Sequence, residues 1–140
     1  MRTAPLRRAG LAALGFVELS WGGWAYFAPA GFFADFPGFG HRWTAAYPPF
    51  NEHLIADLGA TFLTFGALLV FAAVLDDRRV SAVALAGAML FNLLHLAFHA
   101  THRGTMTGAD YPVSLLTLLF GVLAPAALLA LLRDRPRRSG

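Results

Sequence analysis

Residues 80–100 read VSAVALAGAMLFNLLHLAFHA, an almost wholly apolar run that carries His95 and His99 one helical turn apart. A helix needs about 20 apolar residues to cross the hydrocarbon core of a bilayer, so this run predicts a transmembrane helix. Ionisable side chains at that depth are costly, and they mark a functional site or a set of mutually satisfied groups. The run therefore predicts a membrane protein and makes the two histidines the first candidate site.

Apolar stretches of similar length lie on both sides of this run. The four predicted spans cover about residues 9–28, 52–75, 80–100 and 111–132. Proline, glycine or charge interrupts the chain between them, at Pro29, at Pro48-Pro49, at residues 76–79 and at Arg103-Gly104. The predicted fold is all-α: a four-transmembrane-helix bundle forming one integral membrane domain, residues 1–140.

The composition agrees with a membrane domain. Hydrophobic residues make up 57% of the chain and charged residues 14%, with a mean hydropathy of +0.57. Soluble domains carry roughly 25% charged residues, so this chain has too little polar surface to cover a soluble core. Cysteine is absent, which excludes disulfides and thiolate metal ligands. We expect the lipid bilayer as the main partner and no nucleic acid, although the pI is about 10.2.

The arginines orient the predicted bundle. Nine of the eleven lie near the termini or between the second and third spans, while Arg42 and Arg103 lie in the other two loops. Because cytoplasmic loops collect positive charge, both termini and the tail 133–140 are predicted to be cytoplasmic, with loop 29–51 outside. The predicted localisation is the plasma membrane of a bacterium, with several passes.

The first span also has the layout of a signal peptide, with arginines before an apolar run and Ala28-Pro29-Ala30 after it. We expect it to be retained, because Glu18 and Trp21 interrupt the apolar run and Pro29 would hinder cleavage.

Polar residues recur at helical spacing in every span. Spacings of three and four residues place side chains on one face of a helix. We expect these faces to meet in one inward polar seam that is open at the outer side and closes at Glu18. The four sets are Gly15, Glu18 and Gly22; His53, Asp57, Thr61 and Thr64; Asn92, His95, His99 and His102; and Tyr111, Ser114, Thr117 and Gly121.

The histidines of this seam predict a metal or haem site. His95 and His99, at i and i+4, have the spacing of two ligands to one metal from a single helix. Asp57 and His53 are expected to complete the set, and such ligands suit copper, iron, zinc or a haem. The alternative left open is a hydrogen-bonded network of the same side chains that only fixes the helix register.

Other polar residues of the seam are candidates for chemistry beside the metal. Glu18, Asp57 and Asn92 are the candidate catalytic or proton-handling groups. Tyr111 and Ser114 are the candidate cofactor-binding groups on the last span.

The first loop is the second unusual feature. Residues 30–50 are rich in Phe, Trp and Tyr and also contain Gly and Pro. Aromatic rings prefer the membrane–water interface, so the loop is predicted either to anchor there or to form a lid over the seam. Short turns are expected around residues 32–36 or 43–47.

Residues 14–19 read LGFVEL, residues 24–29 read WAYFAP, and residues 51–60 read NEHLIADLGA. With the four-span layout, the first two segments resemble the small bacterial four-helix membrane proteins of the DoxX-like group. The third is similar to a segment of actinobacterial membrane proteins. Some members of the DoxX-like group are linked to respiratory or thiosulfate–quinone chemistry, but the resemblance supports the fold more than any activity. The His95, His99 and His102 pattern is not part of it.

These observations predict binding of a transition metal or haem near the outer leaflet for redox chemistry. Two alternatives stay open: a metal-free acid–base enzyme or binder of an apolar small molecule such as a quinone, and a non-catalytic accessory subunit of a membrane complex. A homo-oligomer is compatible with each of them.

Overall fold

The structure, a computed structural model, describes residues 3–133, and these residues are mainly helical. The predicted all-α class is confirmed. Except for its first residue, the predicted tail 133–140 lies outside the described residues. The helices are α1 (Thr3–Phe27), α2 (Pro29–Asp35), α3 (Glu52–Leu75), α4 (Arg78–Thr101) and α5 (Asp110–Arg133).

A short irregular segment between α2 and α3 carries the remaining elements. The two-residue strands β1 (Pro37–Gly38) and β2 (His41–Arg42) pair antiparallel. A 3₁₀ turn follows at Thr44–Ala46. The first loop therefore carries short helical elements close to both expected positions, residues 32–36 and 43–47.

Three helices in the described part of the chain are long and apolar enough to cross a membrane: α3, α4 and α5. The protein is thus a multi-pass membrane protein. The remaining long helix, α1, carries Arg7, Arg8 and Glu18 and is not one of the three. It begins at Thr3, before the predicted start of the first span at residue 9.

Helices α1 and α3 run antiparallel with their backbones in close contact. A Cβ atom at Gly66 would lie 2.9 Å from the carbonyl oxygen of Gly15, and one at Gly22 would lie 2.9 Å from the carbonyl oxygen of Gly59. Small residues on facing helices allow this approach inside a membrane protein. The glycines of the first predicted face therefore hold α1 against α3.

The ends of α3 and α4 follow from local sequence. The side chain of Asn51 caps α3 by accepting a hydrogen bond from the Leu54 amide at 3.1 Å. Asp76 ends α3 in the left-handed conformation, with φ of 52°. Arg7, buried on α1, pairs with the Asp76 carboxylate, and Arg8 donates to the carbonyl of Ala73 at 3.1 Å. These contacts fix the first turns of α1 beside the α3–α4 turn.

Two apolar clusters form the core. One lies near the α3–α4 turn and includes Leu11, Leu69 and Leu85, all nearly fully buried. The other joins Phe32 of α2 to Ile55 and Phe62 of α3, and Phe36, directly after α2, packs against it. Phe32, Ile55 and Phe62 of the second cluster also line a cavity.

Candidate functional site

A cavity of about 440 Å³ lies between the segment after α1 and the helices α3, α4 and α5. We call residues 29–50 the lid, because their aromatic rings form one wall of this cavity. The rings are those of Phe32, Phe33, Phe36, Trp43 and Tyr47. The helical side of the cavity contains Leu58, Phe62, His95, His99, Ser114 and Thr117.

The lid is packed from its own aromatic side chains. Phe32 is 1% exposed, stacks on Phe36 with ring centroids 4.5 Å apart, and meets Trp24 edge to face. Such pairs stabilise beyond the area that they bury. Phe39, in contrast, is fully exposed at the tip of the hairpin. The rings of Phe32 and Phe36 thus line the cavity, in the position that the lid alternative expects. Phe39 instead is exposed at the surface, where it is available to the membrane–water interface.

Hydrogen bonds join the lid to the loop between α4 and α5 and to Asp110, the first residue of α5. Nδ1 of His41 lies 2.6 Å from Oδ1 of Asp110, and the indole N–H of Trp43 donates to the same oxygen at 3.4 Å. The Thr105 amide donates to the carbonyl of Ala46 at 2.9 Å. Gly104 makes this approach feasible, because its φ is +62° and a Cβ atom there would lie 2.5 Å from that carbonyl oxygen.

Tyr47 connects the lid to the end of α4. Its hydroxyl lies 2.6 Å from the carbonyl oxygen of His102 and 2.8 Å from Nδ1 of His99. Burial, with the nearby Tyr111 as a smaller cause, raises the pKa of Tyr47 above its ordinary value. The phenol therefore keeps its proton at neutral pH and acts as a hydrogen-bonding group.

His95 and His99 line the cavity and carry ring nitrogen atoms without a hydrogen-bond partner in the described residues. Their ring centroids are 4.7 Å apart on consecutive turns of α4. In the structure of residues 3–133, neither ring nitrogen of His95 has a hydrogen-bond partner, and neither does Nε2 of His99. In the described residues, the buried side-chain atoms without a partner are Arg7 Nε and Glu18 Oε2. The nitrogens of His95 and His99 are not among them, so the protein does not enclose them. The cavity thus combines apolar walls with exposed imidazole edges.

The predicted groups of α5 divide between the cavity and the helix end. Ser114 is buried at the cavity wall and donates to the carbonyl of Tyr111 at 2.8 Å. The hydroxyl of Tyr111 lies 3.1 Å from the carbonyl oxygens of His99 and Ala100. Helix ends leave carbonyl groups without partners, so Tyr111 caps α4 rather than lining the cavity.

Asn92 lies beside the Glu18 carboxyl group, and neither residue is among those that line the cavity. The Asn92 side-chain amide donates to the carbonyl of Ala88 at 2.9 Å. Asn92 also contacts α5, because a Cβ atom at Gly121 would lie 2.6 Å from Asn92 Oδ1. A continuous polar seam from His95 through Asn92 to Glu18 stays a prediction from the sequence.

The structure does not bring His53 and Asp57 to His95 and His99. His53 Nε2 pairs with Asp57 Oδ2 at 3.3 Å, and 81% and 63% of the two side chains are exposed. The physical reason is that α3 turns its Gly59 face toward α1, which directs residues 53 and 57 outward. In the described part of the chain, no three His, Asp or Glu side chains form a group suited to a metal ion.

Three residues whose hydrogen bonds connect the lid to α4 and α5 were not among the candidates from the sequence: His41, Tyr47 and Asp110. His102, predicted on the same face as His99, is exposed and stacks on Phe98 with centroids 4.3 Å apart. Helical periodicity reveals a face only inside a helix, and His41 and Tyr47 belong to the irregular lid. The only indication in the sequence was that a histidine and a tyrosine occur in a loop rich in aromatic residues.

No family model, curated protein or solved structure matches this chain. The DoxX-like resemblance therefore stays a prediction.

Proposed function

We propose that this protein crosses the bilayer four times and binds an apolar small molecule in the cavity beneath the lid. One observation carries the binding role: a space of about 440 Å³ with mostly apolar walls is lined by His95 and His99, whose rings carry nitrogens without a partner in residues 3–133. Pockets of about 300–1,000 Å³ with apolar walls and a few polar groups are typical of small-molecule sites. A quinone is one candidate within this class.

The packing of α1 supports a fourth crossing. Contacts with α3 extend from Arg8, bonded to Ala73, to Tyr26, beside Gly59. Because α3 is apolar enough to cross a membrane, a helix in contact along its length occupies the same depth. The outer surface of α1 is also apolar, since Phe16 is 70% exposed.

The orientation we propose rests on the arginines. Arg78 and Arg79 occupy the α3–α4 turn, and most other arginines lie near the termini. The positive-inside rule assigns these regions to the cytoplasm, so the lid and cavity belong to the outer half of a bacterial plasma membrane.

Two tryptophan substitutions one residue apart on α5 test the binding role. Leu118 lines the cavity, whereas Leu119 is exposed. Because the larger ring of Leu118→Trp fills the cavity, we expect the affinity for 4-hexylphenol to fall about tenfold or more. Affinity is measured by titration in phosphatidylcholine nanodiscs, with uptake by empty nanodiscs subtracted.

Leu119→Trp is the matched control and leaves the affinity within about twofold of the wild-type value. Equal losses in both variants, or no uptake by the wild type above empty nanodiscs, would contradict a ligand in this cavity.

A second candidate function is binding of a transition metal by His95 and His99. The favouring observation is that Tyr47 holds Nδ1 of His99, since metal-binding imidazoles commonly use their second nitrogen in this way. In this second candidate function, His53 and Asp57 are not metal ligands. Metal analysis and an optical spectrum of protein purified without chelator test it for metals and haem. Equal metal content in the wild type and in His95→Ala/His99→Ala would contradict it.

Redox catalysis, acid–base catalysis, an accessory role in a larger complex and homo-oligomerisation stay predictions from the sequence.

A further inference from the structure

The hydrogen bonds of Tyr47 fix where the proton of His99 resides. A tyrosine hydroxyl carries one proton, and a carbonyl oxygen only accepts. At 2.6 Å from the His102 carbonyl, the hydroxyl must donate to that oxygen. It then accepts from His99, whose Nδ1 lies 2.8 Å away. Any other assignment sets two lone pairs against each other at one of these contacts.

This arrangement determines what His99 offers to the cavity. A neutral imidazole has one N–H donor and one acceptor nitrogen. Because Nδ1 of His99 carries the proton, Nε2 is a bare acceptor, and it has no partner within residues 3–133. The neighbouring His95, 4.7 Å away between ring centroids, has both nitrogens free and so supplies one donor and one acceptor.

We infer that the cavity selects ligands whose polar end is a hydroxyl group, with phenols and quinols as the chemical class, and that Nε2 of His99 accepts the hydroxyl proton in a hydrogen bond. A hydroxyl both donates and accepts, so it satisfies Nε2 of His99 and a donor of His95 together. An ether or ketone only accepts and leaves His99 unpartnered. The aromatic rings of the lid, such as Phe36 and Trp43, favour an aromatic body. This inference rests on the proposed binding function.

Two probes of nearly equal size test the selectivity: 4-hexylphenol, which donates a hydrogen bond, and 4-hexylanisole, which does not. In phosphatidylcholine nanodiscs, with empty nanodiscs subtracted, we expect the wild type to prefer the phenol about five- to tenfold, the effect of one hydrogen bond. His99→Asn keeps an N–H for Tyr47 but lacks Nε2, so the preference falls to about one. His102→Asn, at the exposed neighbour, keeps the wild-type preference.

Equal affinity of the wild type for both probes overturns the inference and leaves the proposed function standing. Uptake of neither probe above empty nanodiscs overturns the proposed function itself. Retention of the preference in His99→Asn also overturns the assignment to Nε2.

A spectroscopic measurement reports the tautomer of His99 directly, without a ligand. Histidine ¹⁵N NMR separates the two neutral tautomers, and the signal absent from His99→Asn identifies residue 99. We expect the Nδ1–H form for His99, changing to a mixture in Tyr47→Phe. The Nε2–H form in the wild type overturns the inference.

Discussion

His53 and Asp57 share the i, i+4 spacing of His95 and His99, but they lie on the outer surface of α3. Their side chains pair with each other. Exposed ion pairs contribute little to stability, and this one has no contact with the cavity. At the scale of single residues, spacing alone does not distinguish a site from a surface pair.

The double variant His53→Ala/Asp57→Ala tests this distinction. Because neither side chain reaches the cavity, we expect the affinity for 4-hexylphenol to stay within about twofold of the wild-type value. His95→Ala, measured by the same titration, should weaken binding, since His95 lines the cavity. A larger loss in the double variant than in His95→Ala would contradict the geometry.

Only the part of the candidate site that lies on helices could be predicted from the sequence. Helical spacing identified Asn92, His95, His99 and Ser114. In the structure, His95, His99 and Ser114 line the cavity, and Asn92 lies against Gly121 of α5. Tyr47 could not be identified in this way, because its position depends on the path of the irregular lid. His53 and Asp57 have the right period, but the sequence does not show which face of α3 the glycines occupy.

At the scale of elements, the contact of α1 with α3 depends on glycine. A Cβ atom at Gly66 would lie 2.8 Å from the backbone nitrogen of Leu19 and 2.9 Å from the Gly15 carbonyl oxygen. Backbone atoms cannot rotate away, so we expect Gly66→Ala to lower the free energy of unfolding by about 1–3 kcal/mol. Gly23→Ala is the control, because a Cβ atom there meets nothing within 4 Å.

Thermal unfolding in detergent, followed by circular dichroism, compares the two glycine variants. Gly23→Ala should leave the protein as stable as the wild type or slightly more so, since alanine favours helix. If Gly66→Ala is no less stable than Gly23→Ala, the close approach of α1 and α3 is contradicted.

The start of α4 gives a prediction about pH. Asp77 caps α4 by accepting from the amides of Val80 and Arg79, and these bonds lower its carboxyl pKa below the ordinary value of 3.8. The folded state thus favours the ionised form. The ionised Asp77 carboxylate therefore contributes to stability above pH 3.8, and this contribution is lost as the pH falls through the lower pKa of the folded state.

Asp77→Asn separates charge from capping, because asparagine also caps helices but does not titrate. We expect the wild type to have the higher melting temperature at pH 7 and to lose this advantage by about pH 2. An advantage that is the same at both pH values would contradict a stabilising contribution from the charge of Asp77.

At the scale of the whole molecule, the absence of cysteine allows the proposed orientation to be tested with single introduced thiols. Phe39 at the lid tip is fully exposed, and Arg78 lies at the α3–α4 turn. In intact cells, an impermeant maleimide should label Phe39→Cys, and it should label Arg78→Cys only after permeabilisation. The reverse result contradicts the orientation, and labelling of both in intact cells contradicts a crossing by α3.

The all-helical class could be predicted because long apolar runs separated by Pro, Gly and charge leave few alternatives. Asn51 and Asp76, for example, stand where the chain enters and leaves α3. The pairing of helices could not be predicted in the same way. The contact between Gly15 and Gly66 depends on matching surfaces distant in the chain, and a polar pattern on α3 gives no information about it.

The hydroxyl of Tyr47 joins the lid to the end of α4 through two hydrogen bonds, one with Nδ1 of His99 and one to the carbonyl of His102, the residue after the helix. Moving Tyr47 away from α4 would break both bonds together. The orientation of the His99 ring is therefore coupled to the position of the lid, so the same contact that covers the cavity also prepares its polar group.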